Sequence, residues 1–156
     1  MKHAARRMQI VGIGSGTEPD DVGWRIVARL ARMDLGASLP NVELSFENCA
    51  VPAQLPALVG EVDTLILVDA LRDRAWAEVL VIEWRDLVAG VDACSSHGVE
   101  VADVMGLLPL VRPALRDVRL FGVGVGDPAP VNATATDALV ERALPAVLNF
   151  LSEAAA

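Results

Sequence analysis

The stretch Asp63-Thr64-Leu65-Ile66-Leu67-Val68-Asp69 (DTLILVD) decides the fold. From Thr64 to Val68 it is a continuous apolar run, the pattern of a strand covered on both faces, and such strands belong to parallel sheets flanked by helices. Asp69 ends the run. A carboxylate at the end of a buried strand needs a partner or a function, because charged groups are seldom buried for packing alone.

Outward from this strand, the chain alternates. Met8 to Ile13 is a short apolar run closed by Gly14, which predicts a buried first strand. After Asp20 and Asp21, a helical pattern sets Ile26, Val27, Leu30 and Ala31 on one face. Arg25, Arg29 and Arg32 fall on the other and are expected to form a solvated face. Acid at the start of this helix and Gly36 beyond its end are the expected boundaries. Val42 to Phe46 alternates like a strand, and Pro52 to Val59 can make a short helix.

Val79 to Trp84 predicts a further strand only nine residues after Asp69. That gap is too short for a helical crossover, so this strand is expected to lie antiparallel or at an edge. A polar stretch from Asp86 to Ser96 leads to His97, and helical spacing resumes from Val99 to Leu108. Val118 to Phe121 gives the fifth strand, followed by a Gly/Pro-rich loop from Gly124 to Thr136. An amphipathic helix from Asp137 to Glu153 closes the chain, with Asp137 as its expected N-cap and a kink expected at Pro145. Strands alternating with helices predict a single α/β domain over 1–156: a three-layer α/β/α sandwich around a mostly parallel, roughly five-stranded sheet with one antiparallel strand.

Composition narrows the function. The 156 residues are 53% hydrophobic, enough apolar surface for a folded core. A net charge of -8 argues against binding to nucleic acid, whose affinity comes largely from basic groups. Three Phe, three Trp and no Tyr offer no base-stacking platform. Nothing approaches the roughly 18 consecutive apolar residues of a membrane helix, and Arg6-Arg7 is not followed by a secretory apolar region, so a cytoplasmic protein with no membrane association is expected. Cys49 and Cys94 are expected to stay reduced, with no CxxC pair for a metal knuckle. Trp76 and Trp84 read as core residues in preference to a protein-binding surface.

The segment GIGSGTEPDD (Gly12 to Asp21) begins like a phosphate-binding loop. A dinucleotide fingerprint would place its third glycine at Thr17, and Glu18, Asp20 and Asp21 would repel the phosphates that a helix N-terminus attracts. Its glycines therefore read as a turn out of the strand, and no organic cofactor is expected. Asp21, Asp69 and His97 can instead converge on the carboxyl edge of the sheet, where α/β proteins bind ligands. Two carboxylates and an imidazole suit a divalent ion such as nickel or zinc. Closely spaced carboxylates can equally serve as acid and base. No GxSxG elbow or HExxH helix supports a serine-nucleophile or zincin reading.

Three segments in order, GIGSGTEPDD with Gly23-Trp24-Arg25-Ile26-Val27, then DTLILVDAL (Asp63 to Leu71), then SSHGVEVADVMGLL (Ser95 to Leu108), resemble the hydrogenase maturation endopeptidases. The resemblance spans nearly the whole chain. It implies cleavage of a C-terminal extension from the large-subunit precursor of a nickel–iron hydrogenase after nickel insertion. It also implies that Asp21, Asp69 and His97 recognise the nickel held in that precursor or position the scissile bond and its attacking water. A monomer or weak oligomer is expected. The family's usual asparagine is Ser15 here, the glycine that commonly follows the acidic pair is missing, and its Gly-Gly-Thr segment is replaced by Glu47-Asn48-Cys49-Ala50-Val51. These departures carry the alternative reading, a homologue that binds the precursor without cutting it.

Overall fold

In a computed structural model, which describes residues 4–72, 74–83, 86 and 98–156, the apolar run is the central strand of the molecule. This strand, β3 (Thr64–Leu71), is buried along its whole length. It lies between β1 (Arg6–Ile13) and β5 (Asp117–Gly124), with β2 (Val42–Cys49) and β4 (Val79–Glu83) at the edges, in the order β2-β1-β3-β5-β4. All neighbouring pairs are parallel except β4 with β5. The short connection from β3 to β4 thus gives an antiparallel edge strand, as its length requires.

Side chains alternate across the pleat and divide the core into two layers. On one face Met8, Ile10, Ile66, Val68, Phe121 and Val123 pack against α1 (Val22–Ala31) and α4 (Ala133–Ala155). On the other, Val11, Ile13, Leu65, Leu67 and Leu120 pack against α2 (Leu55–Leu58) and α3 (Gly98–Val111). This is the three-layer sandwich expected from the sequence. Gln9 is a polar residue on the second face, and it is fully engaged. Its amide donates to Leu58 O at 2.9 Å and its carbonyl accepts from Gly60 N at 2.9 Å, so it ties β1 to α2. Among the described residues, no helix is long and apolar enough to cross a membrane.

Several boundaries differ from expectation for identifiable reasons. The last helix starts at Ala133, not Asp137, because the Asn132 side chain accepts from Ala135 N at 2.8 Å and caps it a turn earlier. The same helix runs through Pro145 to Ala155. α1 ends at Ala31 with Arg32 as its C-cap, so Gly36 caps nothing. β3 continues past Asp69 to Leu71, which places Asp69 inside the ladder opposite Gly122. Trp76 is 41% exposed and is not a core residue. Cys49 is buried as a free thiol. Trp84, Cys94, Ser95, Ser96 and His97 lie outside the described residues.

Candidate functional site

Glycines seat the first helix on the strand ends. A Cβ at Gly23, the second residue of α1, would run into the carbonyl oxygen of Val68 and stand 2.9 Å from that of Ile13. Gly12, paired with Val68 in the sheet, would place a Cβ 2.8 Å from Gly23 O, and one on Gly14 would strike Asp20 O. Gly12 and Gly14 of GIGSGTEPDD therefore permit close backbone contact, whereas a Cβ at Gly16 would meet nothing within 4 Å. Among the described residues, only Gly126 is a glycine with positive φ, at 90°. Nothing in this arrangement requires a phosphate.

This contact brings the acidic loop to the carboxyl edge of the central strand. Asp69 follows directly on Val68 and is fully buried in a strand of aliphatic neighbours. Its Oδ1 accepts from Ala70 N at 2.8 Å. A carboxylate at such a position is kept by its polar partners, because burying one is costly unless it is well satisfied. Asp21 occupies the N-cap position of α1 without making a capping hydrogen bond. Its Oδ2 instead accepts from Arg25 Nε at 2.8 Å, while its Oδ1 is buried with no hydrogen-bond partner among the described residues.

A cavity of about 330 Å³ opens at this edge. Glu18, Pro19 and Asp20 form one wall, Ala70 and Arg72 the floor where β3 exits, and Gly126, Asp127 and Val131 the opposite wall. The second wall is fixed by main-chain bonds: Val125 N donates to Leu71 O and Gly126 N to Arg74 O. The positive φ of Gly126 lets the chain turn at the rim. The cavity thus joins the carboxyl ends of β1, β3 and β5, the location expected for a ligand in this architecture.

The structure brings Asp21 and Asp69 to the same edge, but the acids that line the cavity are Glu18, Asp20 and Asp127. His97 lies outside the described residues, and Asp103, six residues farther on in SSHGVEVADVMGLL, is exposed on α3. Among the described residues, no group of three or more His, Cys, Asp or Glu side chains is placed to hold a metal ion. Carboxylates are donors suited to hard cations.

Of the arginine face of α1, Arg29 and Arg32 are exposed as expected, whereas Arg25 is largely covered. Arg25 is an ion-pair centre, meeting Glu18, Asp21 and Asp137 at 2.9, 2.8 and 2.7 Å. The hydrogen bond that Arg25 donates to Asp21, with that to Asp137 and the charges of both carboxylates, holds the guanidinium above its usual range. Arg29 pairs with Glu141 of α4 at 3.1 Å. The four-residue spacing of Asp21 and Arg25 was a readable signal for the first of these pairs. Arg72 and Asp127 have none, because only the fold brings them to one cavity.

Comparison with solved structures finds this fold in hydrogenase maturation endopeptidases. An endopeptidase from Escherichia coli, known from its solution structure, superposes with a TM-score of 0.70 at 24% identity, over 95% of this chain and 93% of its own. The hydrogenase maturating endopeptidase HybD from Escherichia coli gives 0.67 at 23% identity, over 95% and 93%. The [NiFe] hydrogenase maturation protease HybD from Thermococcus kodakarensis gives 0.67 at 15% identity, over 92% and 98%. No protein-family model and no curated protein sequence matches the chain.

Proposed function

We propose that this protein is an endopeptidase that removes the C-terminal extension of a nickel–iron hydrogenase large-subunit precursor once nickel has been inserted. The observation that carries this reading is the fully buried Asp69 at the carboxyl edge of β3, where an acid-walled cavity also opens, on a fold shared with hydrogenase maturation endopeptidases. In this reading nickel is part of the substrate. Asp69, His97 and the acidic loop at Asp20 and Asp21 recognise it and orient the scissile bond and the attacking water. The cavity wall supplies a carboxylate for proton transfer to or from that water. The protein acts in the cytoplasm on a folding partner, as a monomer or weak oligomer, with no organic cofactor.

The test is the intact mass of a nickel-loaded precursor before and after incubation. Cleavage predicts loss of the C-terminal extension by wild type and no loss with Asp69→Asn or His97→Ala. Normal cleavage by both variants would overturn the site assignment.

The segment after the second strand supports a second reading. β2 ends at Cys49, whose side chain is buried, and Ala50 and Val51 lead directly into the turn before α2. A homologue in which this segment has diverged would bind the precursor and release it uncut. Co-migration with the precursor at unchanged mass would favour that reading over the peptidase.

A further inference from the structure

Arg25 uses all three of its nitrogens on different parts of the molecule. Nη2 donates to Glu18 Oε1 at 2.9 Å, Nε to Asp21 Oδ2 at 2.8 Å and Nη1 to Asp137 Oδ1 at 2.7 Å. Glu18 and Asp21 flank Pro19 and Asp20, so a single guanidinium fastens both ends of the short span that forms the acidic wall of the cavity. Through Asp137 the same group anchors that span to α4. The side chain is only 26% exposed, which limits screening of these pairs by solvent.

One turn farther along, Arg29 and Glu141 join the same two helices. That pair does not reach the loop. The two arginines therefore separate helix docking from loop placement.

We propose that Arg25 is a positioning residue for the site, holding Pro19 and Asp20 against the cavity by clamping Glu18 and Asp21 on either side of them. The proposal rests on the peptidase reading for its effect on catalysis, but the clamp itself can be measured without it. A planar fork with three edges is needed to serve three carboxylates; a lysine ammonium is a point charge and cannot replace it fully.

Amide hydrogen exchange of the full-length protein is the deciding measurement. Arg25→Met should speed exchange of the Asp21 and Val22 amides, which donate to Thr17 O and Pro19 O across this loop, at least tenfold, Arg25→Lys should lie between it and wild type, and Arg29→Met should leave these amides at the wild-type rate. With the nickel-loaded precursor, kcat should fall about 10- to 100-fold in Arg25→Met, as for residues that orient a ligand or base from behind it, with KM little changed and partial rescue in Arg25→Lys. Should Arg25→Met fail to fold, the intermediate exchange of Arg25→Lys decides. Wild-type loop exchange in the Arg25 variants, or equal acceleration in Arg29→Met, would overturn the proposal. If the clamp behaves as described and wild type leaves the precursor uncut, it is the peptidase reading that fails.

Discussion

Replacing Gly23 by alanine tests how the acidic loop is brought to the sheet. The new Cβ would meet the carbonyl oxygen of Val68 and stand 2.9 Å from that of Ile13. Both obstacles are main-chain atoms of the two innermost parallel strands, so neither can rotate away as a side chain would. Overpacking of this kind costs about 1–3 kcal/mol. Helix propensity works in the opposite direction, favouring alanine over glycine by up to ~1 kcal/mol in a helix interior and less in its first turn. The steric effect wins, leaving a net loss of roughly 1–2 kcal/mol once the propensity gain is subtracted. For a chain of this size that lowers Tm by about 2–8 °C. Gly106 supplies the control: it lies within α3 and a Cβ there meets nothing within 4 Å. Gly106→Ala should therefore feel propensity alone and gain up to ~1 kcal/mol. Urea unfolding monitored by circular dichroism should move the two midpoints in opposite directions at unchanged slope. A Gly23→Ala midpoint raised as far as that of Gly106→Ala would refute backbone contact as the reason for glycine at 23.

Other consequences follow from the capping and burial described above. Asn132→Ala should destabilise by about 1 kcal/mol through loss of the α4 cap, whereas Asp137→Ala loses a pair whose acid is 70% exposed and should cost well under that; equal losses in thermal melts would contradict the assignment of the cap. Cys49, whose thiol burial pushes up from its ordinary 9.0, should resist iodoacetamide in the native protein and be alkylated only on unfolding, as read by peptide mass. The folded state keeps the Cys49 proton where the unfolded thiol has lost it, so stability should fall as pH rises past 9.0, and Cys49→Ala should flatten that decline.

How far the sequence could be read depended on whether a feature was local. The buried run of β3, the short hop to β4 and the alternation of strands with helices were all legible, because each is a pattern in neighbouring residues. The start of α4 is ambiguous in the sequence because Asn132 and Asp137 are both good caps; Asn132 takes the cap by accepting from Ala135 N, and Asp137 lies inside the helix, paired with Arg25. Asp21 and Asp69 lie at the carboxyl ends of neighbouring segments, a placement that follows from strand and helix order alone. That Asp20 and not Asp21 lines the cavity depends on the direction of two adjacent side chains in a loop, which spacing does not encode. Trp76 was expected in the core because aromatic residues near strands usually pack, yet it sits in the β3–β4 connection beside Gly126, on the surface.

The most direct test of the account is where a cation settles. Crystals of the protein soaked in a cadmium or nickel salt should show anomalous density at the carboxyl edge of β3, in contact with Asp69 and with a carboxylate from Asp20 or Asp21, together with His97. The peak should vanish in Asp69→Asn. Density confined to other surfaces, or a peak at this edge that survives unchanged in Asp69→Asn, would contradict a site built on Asp69.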